Sequence, residues 1–231
     1  MKNNMTDTND KKLSVSIIIP AYNEGPRIAD TVAGLADFPE ITEIIVVDDC
    51  SSDDTSAKAA APKVKVLRNE RNLGKGGSME RGLRESRGDI VVFLDGDLGR
   101  CSAEGMKLVA AVRDGVCDMA IADFYRGENH KGGFGIVLGT ARRGLKKRTG
   151  KDFSSPISGQ RAFRREAALA LSPFPVGFGA EVGLTLRAHK KGFRIAEVPV
   201  YMTHKTTGKT LKGFIHRGKQ LIHIIRTFLS E

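Results

Sequence analysis

Two carboxylates separated by one glycine, Asp95-Gly96-Asp97, follow the apolar run Val91-Val92-Phe93-Leu94. Like charges at that spacing repel, and the penalty rises where a buried strand carries them out of water. A cation beside them removes the conflict. Mg²⁺ and Mn²⁺ take oxygen ligands and commonly bridge a protein carboxylate to substrate phosphates, so Asp95 and Asp97 are candidate ligands for such an ion. A solvated turn is the plain alternative. Asp49 ends a second apolar run, and a carboxylate there can accept a hydrogen bond from a uracil or guanine N–H; Glu24 can accept from ribose hydroxyls in the same way. Either acid can equally be a helix N-terminal charge favoured by the macrodipole. Lys75 stands in Asn72-Leu73-Gly74-Lys75-Gly76-Gly77-Ser78, where backbone N–H groups at a helix start and an ammonium together favour a phosphate. His204 follows a strand-like run, and has the chemistry either of a further metal ligand or of a loop histidine bonded to backbone.

These groups are useful only if the fold gathers them. Residues 14–20 form a short Ile-rich run stopped by proline, as a buried strand is. Ile28, Val32, Leu35 and Phe38 then recur at helical spacing. Residues 43–49, 63–69 and 89–95 read as further strands. Helices are expected from residue 51, with Ser and Asp at the N-cap, and over 74–88 behind a Gly-rich entrance. Four β-then-α units in a row predict a mostly parallel sheet flanked by helices, a Rossmann-like α/β fold. Ligands of such sheets bind beyond the C-terminal strand ends. Pro20-Ala21-Tyr22-Asn23-Glu24, Asp49 and Asp95-Gly96-Asp97 all fall on that edge.

The second half is less regular. Strands are expected at 117–124 and 193–202, a short strand or loop at 155–163, and helices over 136–150, 165–172 and 179–192. Residues 210–230 place Leu211, Phe214/Ile215, Leu221/Ile222, Ile225 and Phe228/Leu229 at spacings of three and four, which predicts an amphipathic helix with its basic face turned outward. The expected division is a disordered polar tail over 1–12, a catalytic domain over 13–205 (a nucleotide-binding half to residue 100, then an acceptor-binding half) and a terminal amphipathic helix over 206–231.

Composition narrows the classes. The 231 residues are 40% hydrophobic and carry a net charge of +10, so phosphorylated small molecules, anionic lipid and nucleic acid are all candidate partners. Nucleic acid ranks low, since stacking needs exposed aromatics among the basic residues and the chain has three Tyr and no Trp. Three cysteines without CxxC spacing fit neither a zinc site nor a disulfide framework, and suit a reducing cytoplasm. No apolar run is long enough to span a membrane, leaving peripheral contact as the membrane option. Assembly, as monomer or homodimer, is left open. Neither GxxxxGK[ST] nor GxGxxG is present, which excludes a Walker loop and argues against a dinucleotide dehydrogenase.

In order and spacing, SIIIPAYNE, VVDDCSSDDT, NLGKGG and VVFLDGDLG resemble the GT-A glycosyltransferases of family 2. The resemblance implies a metal-dependent transferase using a nucleoside diphosphate sugar. Pro20 to Glu24 and Asp49 would cradle the nucleoside, Lys75 the diphosphate, and Asp95 and Asp97 the ribose–metal–diphosphate region. SGQRAF and GFGAEVGLTLRAHKKGFRIAEVPV are similar to segments of two groups within that family, the glucosyl-3-phosphoglycerate synthases and the dolichyl- or polyprenyl-phosphate sugar synthases. That likeness favours UDP-glucose as donor and a phosphate-bearing acceptor. It implies acceptor roles for Gly133, Ser158 and Gly159, and a metal-ligand role for His204. Arg161 and the basic helix containing Arg142 and Arg143 are expected to hold the acceptor's anion. Glu181 would orient an acceptor hydroxyl or cap its own helix. The competing enzyme class, nucleotidyl transfer, needs a Gly-rich loop after the first strand, where this chain has Pro20 to Glu24.

Overall fold

A computed structural model describes residues 13–124, 135–175, 177–202 and 211–230. Strands β1 (Val15–Ala21), β2 (Ile41–Asp48), β3 (Val64–Arg68) and β4 (Ile90–Phe93) alternate with helices α1 (Ile28–Ala33), α2 (Thr55–Ala59) and α3 (Gly74–Glu85). A 3₁₀ turn, Gly99–Glu104, leads into α4 (Gly105–Arg113) and β5 (Met119–Phe124). Then follow α5 (Gly135–Thr149), β6 (Arg161–Arg164), α6 (Arg165–Ala170), a 3₁₀ turn Gly177–Gly179, α7 (Ala180–Lys190), β7 (Ile195–Val200) and α8 (Leu211–Ser230). The seven strands form one sheet in the order β3-β2-β1-β4-β6-β5-β7. All run the same way except β6, which pairs antiparallel with both β4 and β5. The mostly parallel α/β sheet read from the sequence is therefore present, and the inverted strand is the element that reading did not foresee.

The strands are apolar because both sheet faces are covered. One face carries Ile17, Ile19, Val46 and Val92 against Ile28 and Val32 of α1 and Leu108 and Val112 of α4. The other carries Ile18, Ile45, Val91 and Phe93 against Met79 and Leu83 of α3, with α5, α7 and Ile224 of α8 completing the layer. Phe93 meets Phe163 and Phe174 edge-on, with ring centroids 5.8 and 5.5 Å apart, a favoured aromatic geometry. At the tail the expected facing is partly wrong. Leu221, Ile224 and Phe228 of α8 turn inward, whereas Ile222, Ile225 and Leu229 are exposed, with Arg226 among them. The outer face in this stretch is apolar with a basic residue in it rather than simply basic. Among the described residues no helix is long and apolar enough to cross a membrane.

Candidate active site

β1 lies between β2 and β4: the chain steps outward from β1 through β2 to β3, then crosses back to β4 on the other side of β1. A crevice opens at such a switch point, beyond the C-terminal strand ends. Here it has a volume of about 280 Å³ and is lined by Pro20, Ala21, Tyr22, Glu24, Asp49, Lys75, Ser78, Asp95, Gly96 and Asp97. A more apolar groove of about 350 Å³ runs between α1 and α2, but its lining, Val32, Phe38 and Ile44 among others, carries no catalytic group.

The segment after β1 is built by cross-links. Asn23 adopts a left-handed backbone (φ 56°), which asparagine tolerates better than most residues. Its amide N–H donates to Ser51 Oγ (3.0 Å), and its Oδ1 accepts from the Ser52 N–H (2.9 Å). The Glu24 carbonyl accepts from Arg27 and Ile28 and so begins α1. Asn23 therefore joins the β1 and β2 loops, and Tyr22, half exposed, offers its ring to the crevice.

Asp49 is 3% exposed. Its Oδ1 accepts from Asn69 Nδ2 (2.7 Å) and the Leu73 N–H (2.8 Å), and its Oδ2 from the Gly74 N–H (2.8 Å). It thus caps α3 from across the sheet, satisfying amides that a helix start leaves orphaned. Next to it, Asp48 is fully buried. Burial raises its pKa, but hydrogen bonds from Ser51 and Ser56 and the charge of Arg68 outweigh that and hold it below the ordinary carboxylate value.

With α3 fixed by Asp49, Lys75 in its first turn reaches over the crevice. Its Nζ lies 2.6 Å from Asp95 Oδ1 and 3.4 Å from Glu181 Oε1 in the first turn of α7. Burial works against the ammonium, yet Asp95 and Glu181 together hold its pKa above the ordinary lysine value. Lysine, then, is the cation that sits against the first carboxylate of the Asp95-Gly96-Asp97 turn. Asp95 Oδ2 accepts from Gln160 Nε2 at 2.6 Å. The second carboxylate is different: Asp97 is half-buried and, among the described residues, its side chain has no hydrogen-bond or ion-pair partner. Its backbone is held instead, with Arg27 Nη1 donating to the Asp97 carbonyl (3.1 Å) and Thr31 Oγ1 to the Gly96 carbonyl (2.8 Å). One open carboxylate beside a phosphate-sized crevice suits Mg²⁺ or Mn²⁺, which take few protein oxygens when substrate phosphates supply others.

Several expected residues fall elsewhere. Arg161 is fully buried; its Nε donates to the Ser158 carbonyl (3.0 Å), Nη1 to Thr185 Oγ1 (2.9 Å) and Nη2 to the Pro156 carbonyl (3.3 Å). Burial pushes its pKa down to about 10 against the pull of Glu181 and Glu197. It locks the 156–161 segment and has no surface to offer an acceptor, contrary to expectation. Ser158 is 3% exposed, with its hydroxyl on Gln160 Oε1 (3.3 Å), so it too braces this segment. Gly159 does reach the site, because a Cβ there would lie 2.1 Å from Lys75 Nζ. Arg142 donates to the Ser154 carbonyl, and Arg143 is exposed. Glu181 joins Lys75, while the α7 N-cap, Gly179, has no side chain to cap with. Gly133 and His204 lie outside the described residues. Sequence reasoning passed over Gln160, Thr31, Arg27 and Ser78. Of these only Gln160 stood in a segment quoted for its likeness.

A mostly parallel α/β sheet with a switch-point crevice, a basic helix start and an acidic turn has the chemistry to hold a phosphate-bearing ligand. Residues 16–171 match the family model for glycosyl transferase family 2, and the chain belongs to that family. It is 31% identical over 220 residues to a dolichol-phosphate mannosyltransferase of Pyrococcus furiosus, covering 87% of this chain and 60% of that protein. It is 27% identical over 237 residues to an undecaprenyl-phosphate mannosyltransferase of Micrococcus luteus, covering 94% and 95%. The glucosyl-3-phosphoglycerate synthase of Mycobacterium tuberculosis, of whose length the sequence match spans 60%, is similar in structure as well. Its complex with Mn²⁺, UDP and glucosyl-3-phosphoglycerate superposes with a TM-score of 0.78 at 28% identity over 94% of this chain and 79% of that one. A further structure of that enzyme holds Mg²⁺ and UDP.

Proposed function

We propose that the protein transfers a hexose from a nucleoside diphosphate sugar, with UDP-glucose favoured, to a phosphate-bearing acceptor. The observation that carries this reading is one crevice lined by both the Lys75 ammonium and the half-buried Asp97 carboxylate, whose side chain has no partner among the described residues. Asp97 would hold Mg²⁺ or Mn²⁺, whose charge would stabilise the departing diphosphate. His204 is proposed as a second ligand on the strength of the family resemblance. The base would enter beside Tyr22, and Asp49 Oδ2, which accepts one N–H, has a lone pair left for a base N–H. Lys75, kept charged by Asp95 and Glu181, meets the diphosphate. Glu181 faces the sugar and accepts from its hydroxyls or from the acceptor's. A phosphate acceptor is already anionic and needs no strong base. Arg143, exposed on α5, is a candidate for holding the acceptor's charge.

A second reading places the acceptor on a polyprenyl phosphate at a membrane surface. The exposed Ile222, Ile225 and Leu229 of α8 favour it, since an apolar face with basic residues is what an interfacial helix presents. Release of UDP from UDP-glucose with Mn²⁺, measured with 3-phosphoglycerate and with undecaprenyl phosphate as acceptors, decides between the readings. A nucleotide sugar that is neither bound nor consumed with any metal defeats both.

A further inference from the structure

Gln160 is fully buried, unusual for a side chain with four hydrogen-bonding sites. Its backbone carbonyl accepts from the Ala122 N–H of β5 (3.0 Å), and Arg161 beside it locks the preceding loop. The side chain therefore projects from a rigid base. Its Oε1 accepts from Ser158 Oγ and its Nε2 donates to Asp95 Oδ2. This orientation is the one the chemistry demands, because turning the amide over would set its oxygen against a carboxylate that only accepts. Asp95 is thereby held at both oxygens, by Gln160 on one and Lys75 on the other, each at 2.6 Å. Gly159 provides the space into which Lys75 reaches. Glu181, at 3.4 Å, is the competing partner toward which Lys75 would drift if Asp95 turned.

We propose that Gln160 is a positioning residue: its amide sets the rotation of the Asp95 carboxylate and, through it, the place of the Lys75 ammonium that meets the donor diphosphate. The inference rests on the nucleotide-sugar reading and adds to it a division of labour, with Asp95 as the anchor of a lysine and Asp97 as the open carboxylate.

The test is calorimetric titration of UDP and UMP, with Mn²⁺, into the full chain. Gln160→Met keeps the volume and removes the hydrogen bond. It is expected to weaken UDP by about tenfold, the scale of one charge-assisted bond, and UMP by less. Gln160→Glu sets two carboxylates face to face where Nε2 now donates to Asp95 Oδ2. It is expected to weaken UDP more than Gln160→Met does, because the Asp95 carboxylate would face a like charge instead of a donor. In an Asp95→Asn background, Gln160→Met should add no further loss. Wild-type UDP affinity in Gln160→Met, or a loss that simply adds to that of Asp95→Asn, overturns the proposal. If a Gln160 variant fails to fold, Ser158→Ala, which frees Oε1 alone, is expected to give a smaller loss in the same direction, and no loss there counts against it. A wild-type protein that binds neither nucleotide overturns the nucleotide-sugar reading itself.

Discussion

At the scale of the residue, two acids one glycine apart sit in different surroundings. Asp95 is paired with Lys75, whereas the Asp97 side chain has no partner among the described residues. Asp97→Asn is therefore expected to fold normally and to weaken Mn²⁺-dependent UDP binding by about 10- to 100-fold or more, the scale seen when metal shells are disturbed. Titration of Mn²⁺ in the presence of UDP reads it, and unchanged metal affinity would reassign the ion. Asp48 makes a prediction about stability. Its folded pKa lies below the ordinary 3.8, so the folded state binds its proton less readily than the unfolded chain. Its contribution is full above about 3.8 and disappears as pH falls through the lowered folded value. Asp48→Asn should accordingly melt lower than wild type at neutral pH, and the gap should narrow on acidification below pH 4. A gap that stays constant down to pH 2.5 would mean that shape rather than charge makes Asp48 useful. The acids were legible because strand ends in a parallel sheet converge. The role of Arg161 was not, because its exposure depends on how the 156–161 segment packs on Thr185, a contact with no sequence signature.

At the scale of the element, α3 is the piece that aims the site, and it is aimed from outside itself. Asp49 receives its first amides, while Gly159 leaves room for its lysine. Gly159→Ala would put a methyl group 2.1 Å from Lys75 Nζ, displacing a flexible side chain at little expense to the fold. The expected result is an unchanged melting temperature with UDP binding several-fold weaker; a variant that binds UDP normally would show that Lys75 has a second productive position. The terminal helix α8 tests the reading of its outer face. Ile222→Glu with Leu229→Glu removes exposed apolar surface and adds repulsion from anionic lipid. Flotation with anionic liposomes should show wild type bound at low salt and the variant free. No wild-type binding would leave a water-soluble acceptor as the better choice. The helices and strands of the first half were legible from short apolar runs and helical spacing, but the capping read from residue 51 was not realised: α2 starts at Thr55, and its N-cap Asp54 makes no side-chain cap bond. The facing of α8 was only half legible, because apolar residues at adjacent positions such as Leu221/Ile222 and Phe228/Leu229 fill a stripe too wide to show which edge is buried. The inverted β6 was likewise hidden, since a four-residue strand has the same pattern in either direction.

At the scale of the whole molecule, the crevice is a seam. The lining itself comes from the β1, β2 and β4 ends and α3; behind Lys75 and Asp95 stand Gly159, Gln160 and the start of α7, which follow in the second half of the chain. The two walls of this seam meet at Lys75, which pairs with Asp95 on one side and Glu181 on the other. A diphosphate placed there competes for the ammonium without separating the walls, and with an ion on Asp97 it adds bonds that only the folded chain can make. Ligand and fold are then linked by mass action. At about a hundred times Kd the linkage is worth about 2.7 kcal/mol. For a chain of this size that is a rise in melting temperature of about 5–10 °C. The expected pattern has three parts: UDP with Mn²⁺ gives the full rise, UMP with Mn²⁺ a smaller one, and EDTA or Asp97→Asn cuts the UDP rise to the level of UMP. Differential scanning calorimetry at fixed protein and nucleotide concentration measures all three. Equal rises from UMP and UDP, insensitive to EDTA, would locate the binding energy in the nucleoside alone and leave the Lys75–Asp97 seam without the diphosphate that its charges imply.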